Sequence, residues 1–191
     1  MELTVRMVRD DRVAGRPAAG PNRHELPTVV DLCCGSGAIG AALAAALPGA
    51  EVWATDVDPV AVACARRNLP PDRVREGDLY DALPGSLRGG VDVLAVNAPY
   101  VPTDALATLP PEARDHEARV ALDGGRDGVD LHRRIAAAAP GWLRPGGHLV
   151  VETSRSQAAL TAAACTDAGL AAYVATDDDR EATAVVASAP S

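Results

Sequence analysis

From Leu26 onward, apolar runs of strand length alternate with helical stretches, and this alternation restricts the fold more than any other feature. The run Thr28–Leu32 leads through the turn Cys33-Cys34-Gly35-Ser36-Gly37 into an Ala/Leu-rich helix over 38–47, stopped by Pro48-Gly49. A second strand over 51–55 leads to a helix over 59–68, with Asp58 as N-cap ahead of Pro59. A short strand follows at 73–76, then the near-continuous apolar run Val91–Val96, the pattern of a strand buried on both faces. A helix over 128–139, the turn Pro145-Gly146-Gly147, a strand over 148–152 and a helix over 156–168 continue the series. Two strands at 171–175 and 183–187 close it, joined by the polar turn Asp177-Asp178-Asp179.

Strands separated by helices form a parallel, doubly wound α/β sheet of Rossmann-like type. Two closing strands with no helix between them require one to enter antiparallel, so the expectation is a seven-stranded, mostly parallel sheet. With 191 residues, a single domain over 27–191 is expected. Residues 1–26 stand apart. Leu3, Val5 and Met7 alternate with polar residues as in a short edge strand, and the Pro/Gly/Arg stretch behind them reads as a loop or tail.

Composition narrows the function classes. A net charge of −8 argues against a nucleic-acid backbone as the main partner. Arg6, Arg9, Arg12, Arg16 and Arg23 form the one basic stretch, which we read as a solvated face. No run has the length of a membrane span or a signal core, giving the expectation of a cytoplasmic protein. Cys33, Cys34, Cys64 and Cys165 lack zinc spacing, so no metal site is expected and the thiols should be reduced, three of them buried and Cys34 partly accessible.

Two strand ends carry chemistry. Gly35-Ser36-Gly37-Ala38-Ile39-Gly40 matches a dinucleotide fingerprint, with Asp56 about 20 residues on, able to accept both hydroxyls of a ribose. NAD is therefore a reading to be weighed. Against it stand Asp31, ahead of the glycines and suited to the cationic ammonium of a methionine moiety, and Asp78 after the third strand, suited to an adenine amino group. Together they favour S-adenosylmethionine. At the end of the fourth apolar run comes Asn97-Ala98-Pro99-Tyr100. The Asn97 side-chain oxygen and the Ala98 carbonyl can grip the two N–H groups of a planar amine and turn its lone pair toward a methyl donor. Pro99 stiffens the corner and Tyr100 offers a flat face. The long polar connection over 99–123 is of a length that usually serves function.

With these residues in this order, the chain resembles the HemK/PrmC-like protein N5-glutamine methyltransferases, which modify the Gly-Gly-Gln glutamine of release factors. The resemblance runs from about Val29 to the C-terminus. Its specific part is the segment from Arg114 to Asp130, including Glu117, Ala121-Leu122, Gly124-Gly125 and Asp127-Gly128-Val129, followed by the pair Glu152 and Gln157. It implies a class I methyltransferase that uses S-adenosylmethionine. Asp31, Gly35, Gly37, Asp56, Asp78 and Asn97 would lie at the cofactor, with Cys33, Ser36, Val57 and Leu79 completing that set. Asn97, Pro99 and Tyr100 would be catalytic, and Asn97, Ala98, Pro99, Tyr100 and Glu117 would receive the substrate. Ala98 stands where the family has its first corner proline, and Ala118 follows Glu117 in place of proline. The family's N-terminal helical domain and its cofactor-covering segment have no counterpart ahead of Val29. One family branch lacks the helical domain and works with a small partner subunit. A small partner or a homodimer is therefore open here, as are a small-metabolite acceptor and a cofactor-binding supporting subunit.

Overall fold

The computed structural model describes residues 2–9, 26–108 and 121–191. Seven strands form one sheet: β1 (Thr28–Leu32), β2 (Glu51–Asp56), β3 (Val74–Glu76), β4 (Val91–Val96), β5 (Leu143–Thr153), β6 (Ala171–Asp177) and β7 (Ala182–Ser188). Their order is β3-β2-β1-β4-β5-β7-β6. The first five are parallel, whereas β7 runs antiparallel to both β5 and β6. The helices are α1 (Glu2–Arg9), α2 (Ala38–Ala46), α3 (Pro59–Ala65), α4 (Asp130–Ala138) and α5 (Ala158–Asp167).

The apolar runs of the central strands feed two cores. Val29, Val93, Ala95 and Val150 pack on the side of α1, α2 and α3. Their neighbours Val30, Leu32, Leu94, Val96 and Val151 pack on the side of α4 and α5, with Ile135 and Trp142. A strand buried on both faces must be apolar at every position, which is why the run reads as continuous and not alternating.

The sequence and the structure differ at two elements. Residues 2–9 form helix α1, not an edge strand. Leu3, Thr4 and Val8 fall on one side of a helical turn and are buried, while Arg6 points outward and pairs with Asp177 at 2.7 Å. Alternation over seven residues cannot be told from a short amphipathic helix until a groove exists to receive it. At the other site, Pro145-Gly146-Gly147 does not precede a strand but lies inside β5. There the register against β4 slips between Val91 and Val93, so the turn is absorbed as a bulge. Asp58 caps α3 as expected, its Oδ1 accepting from the Val60 amide at 2.8 Å. Among the described residues no helix is long and apolar enough to cross a membrane, and no cluster of His, Cys, Asp and Glu is arranged to hold a metal.

Candidate active site

Strand order reverses between β1 and β4, and the loops at their carboxyl ends must part there, leaving a crevice. A cleft of about 600 Å³ occupies that place. Cys33, Gly35 and Ser36 from the first turn, Asp56 and Val57 from the end of β2, and Asp78 and Leu79 beyond β3 line it. Asn97 and Pro99 complete the wall at the end of β4. The chain thus gathers nine of the sequence-derived positions around one cavity.

The glycine turn is held by β2. The two Asp56 carboxylate oxygens accept from the Gly35 amide at 2.8 Å and the Asp58 amide at 3.0 Å. Cys34 N–H donates to the Thr55 carbonyl at 3.0 Å, and Asn68 Nδ2 donates to the Ser36 carbonyl at 2.8 Å. Gly37 is buried behind the turn and does not line the cleft; a side chain there would press on Leu69 and Ala65. Its place is local packing.

Asp31 is also displaced from its expected position on the cleft wall. It is fully buried beneath the turn, where Oδ2 accepts the Gly40 amide at 2.8 Å and Oδ1 has no hydrogen-bond partner among the described residues. Burial, reinforced by Asp56 and Glu152, pushes its carboxyl up to about 7. Cys33 is pushed up to about 12, first by burial and then by Asp56, Asp31 and Asp78, with Arg134 opposing. It is therefore a neutral thiol. All four cysteines are free, but their exposure differs from expectation: Cys34 is buried, Cys33 half-buried and Cys64 exposed. The doublet straddles a sharp turn in which Cys33 takes a left-handed φ of 56°, turning its neighbour inward.

The corner after β4 is shaped by residues far away in sequence. Asn97 is exposed into the cleft, and its side chain hydrogen-bonds to none of the described residues. Ala98 is buried. Gln157, at the start of α5, donates through Nε2 to the Tyr100 carbonyl at 2.6 Å and to the Asp127 carbonyl at 3.0 Å, while its Oε1 accepts from Ser154 Oγ at 2.5 Å. The 121–128 loop folds over the same corner. Val101 N–H donates to the Leu122 carbonyl at 3.0 Å, and Gly124 N–H to the Val101 carbonyl at 2.8 Å. Tyr100 itself stands outside the cleft lining, with its backbone clamped and its ring more than one-third exposed. Glu117 and the Arg114–Val120 stretch lie outside the described residues.

Two groups were not evident from the sequence. Arg134 lines the cleft from α4 and its Nη2 pairs with Asp78 Oδ2 at 2.7 Å; Leu131, one helical turn earlier, lines the same wall. The i, i+3 spacing of Leu131 and Arg134 was the available signal. His132, between them, faces the other way and is buried.

Comparison with known proteins agrees with this geometry. A family model described as the methyltransferase small domain matches residues 21–109. A release factor glutamine methyltransferase from Geobacter sulfurreducens is 46% identical over 134 residues, covering 68% of this chain and 46% of that protein. A ribosomal protein uL3 glutamine methyltransferase from Bordetella pertussis is 43% identical over 134 residues, covering 67% of this chain and 44% of its own length. The chain thus spans about half the length of the curated relatives it matches. Among solved structures, a methyltransferase from Pyrococcus furiosus aligns over 100% of this chain and 99% of its own, with a TM-score of 0.63 at 14% identity, which speaks to the fold alone. The seven-stranded sheet has the fold of the class I methyltransferases, and over about two thirds of its length the chain is similar in sequence to glutamine methyltransferases.

Proposed function

We propose that the chain methylates the side-chain amide nitrogen of a glutamine in a protein, using S-adenosylmethionine. The observation that carries this reading is the corner itself. An exposed Asn97 amide with no partner among the described residues stands at the mouth of the cleft, next to a backbone locked by Gln157.

The residues of the cleft suit a cationic nucleoside ligand. Asp56, Asp58 and Asp78 line the cleft, with Arg134, paired to Asp78, as the one lining cation among the described residues. A pyrophosphate would be repelled by this set, whereas a ligand bearing sulfonium and ammonium charges is attracted. NAD fits poorly. Asp56 would hold the ribose hydroxyls, Leu79 and Asp78 the adenine, and the Gly35-Ser36 backbone the methionine portion. When bound, the cofactor supplies an electrophilic methyl group.

Asn97 Oδ1 and the Ala98 carbonyl accept the two N–H groups of the substrate amide and fix its plane. An amide nitrogen is a weak nucleophile because its lone pair is delocalised. The two acceptors are aimed where positive charge grows on that nitrogen as the new N–C bond forms, and they lower the barrier by electrostatic preorganisation. Pro99 restricts the backbone between them. The release factor and uL3 acceptors named for the relatives supply the substrate class to test. Incubation with isotope-labelled S-adenosylmethionine and a release factor, followed by peptide mass mapping, should place one methyl group on a glutamine. An unlabelled factor together with a labelled metabolite extract would overturn the protein-substrate reading.

A further inference from the structure

Asp78 and Arg134 both line the cleft, one from the turn beyond β3 and the other from α4. Arg134 Nη2 donates to Asp78 Oδ2 at 2.7 Å, and Oδ1 accepts from no described residue. The turn that carries Asp78 is unusual. Asp78 stands at the N-cap of the short 3-10 turn Leu79–Ala82, yet its side chain caps none of that turn's amides. Leu79 follows with a left-handed φ of 50°, a conformation unfavourable for any residue with a Cβ. The adjacent Arg133 is engaged elsewhere, with Asp127 at 2.5 Å and Asp130 at 2.9 Å. Arg134 and Asp78 are about half exposed, at 54% and 49%. Pairs so exposed contribute little to stability, because water screens them and two side chains must be held still. Stability therefore does not account for this bridge.

We infer that Arg134 is a positioning residue: it fixes the Asp78 carboxylate so that the cleft selects a 6-amino purine over a 6-oxo purine. The inference rests on the proposed placement of adenine at Asp78 and Leu79. A carboxylate only accepts, through two oxygens. With Oδ2 held by the guanidinium, Oδ1 is the acceptor left for a ligand. An exocyclic amino group donates to it. A carbonyl at the same place would set two acceptors against each other, and leaving both unpaired once water is displaced is costly. Without Arg134 the half-exposed Asp78 side chain regains its rotamers. It must then be ordered again to meet an amino group, and it is free to turn away from a carbonyl. Both changes erode the preference for adenine. Leu79 and Leu131 also line the cleft and give the base apolar surface, which does not distinguish the two purines.

Equilibrium binding tests this without a methyl acceptor. Calorimetry compares S-adenosylhomocysteine with S-inosylhomocysteine, its 6-oxo counterpart, on the parent, Arg134→Met, Arg134→Lys, Asp78→Ala and the variant combining Arg134→Met with Asp78→Ala. The parent should prefer the adenosyl ligand by about tenfold or more, the scale of one hydrogen bond to a charged group. Met keeps an unbranched stem but no donor. Arg134→Met should melt as the parent does, bind S-adenosylhomocysteine about threefold more weakly, the scale of fixing one side chain, and lose most of the preference. The contact is a single N–H···O bond, so Lys should restore most of both. In the Asp78→Ala background, Arg134→Met should have no further effect, because the arginine acts through that carboxylate. Parental preference in Arg134→Met, equal weakening of both ligands with a lower melting temperature, or additive losses in the combined variant overturns the positioning role. A parent that binds neither ligand overturns the S-adenosylmethionine reading itself, so the two failures are told apart by the parent's own affinity.

Discussion

Asp56 and Asn97 illustrate how differently two polar residues can serve one cleft. The Asp56 carboxylate already accepts two backbone amides, from Gly35 and Asp58, so it shapes the turn as well as facing the cavity. Asp56→Ala should weaken S-adenosylhomocysteine binding tenfold or more, given roughly 1.5–3 kcal/mol for hydrogen bonds to a charged group. Calorimetry on the variant checks this, with unchanged affinity counting against the assignment. Asn97 supports no other described residue, so its loss should spare the fold. We expect Asn97→Ala to lower kcat by about 10²–10³, as for removal of one preorganised polar group, with S-adenosylhomocysteine affinity changed far less. Paired turnover and affinity measurements decide the matter; a variant with the parental rate would make Asn97 a mere turn residue.

At the scale of elements, the loop ahead of α4 and the start of α5 form a lock on the β4 corner. Gly128 sits at its centre with a φ of 78°, a conformation that strains any other residue. A Cβ there would drive far inside van der Waals contact with Gln157 Nε2 and the Tyr100 carbonyl. Gly128→Ala should therefore destabilise the protein by about 2–3 kcal/mol, from backbone strain and the displaced clamp. That corresponds to a melting temperature lower by roughly 5–10 °C for a domain of this size. Calorimetric melting of parent and variant measures it, and an unchanged transition would mean that Gln157 can swing away without loss. The glycines and Gln157 were visible in the sequence only through resemblance. No periodicity or turn rule says that a residue near 157 reaches one near 100, because that contact exists only once β4 and β5 lie side by side.

For the molecule as a whole, two buried ionisable groups tilt stability in opposite directions over one pH range. The Asp31 carboxyl is raised from an unfolded value near 3.8 to about 7. Its contribution is fully present below pH 4 and is lost as pH rises toward 7, because the native state holds the proton longer. The His132 imidazole is lowered from 6.5 to about 4, so its contribution is present above pH 6.5 and lost as pH falls toward 4. The two slopes offset each other between pH 4 and 6.5. Replacing Asp31 by Asn removes one of them. The stability of Asp31→Asn relative to the parent should rise between pH 4 and 7, by at most about 4 kcal/mol at 1.4 kcal/mol per unit. Urea denaturation of both proteins across this range provides the measurement, and a constant difference would show that Asp31 is ionised throughout.

The order of strands and helices was legible in the sequence because each is set by local rules: apolar runs, the Asp58 cap, and glycines at tight turns. The polar corner at Asn97 and the carboxylate at Asp56 were legible for a related reason. They end strands, and parallel strands that share a sheet present their carboxyl ends together. What the sequence left undetermined depends on distance in the chain. Alternation at Leu3, Val5 and Met7 suited a strand until the groove beside α2 and β7 took one side of a helix. The burial of Cys34 beside a half-buried Cys33 depends on what packs around their turn. The burial of Asp31 beneath Gly40, the Arg134–Asp78 pair and the His132–Thr161 contact all join residues from separate elements. Burial and electrostatic environment are properties of the packed assembly. They acquire values only when the sheet has closed and its helices have covered both faces.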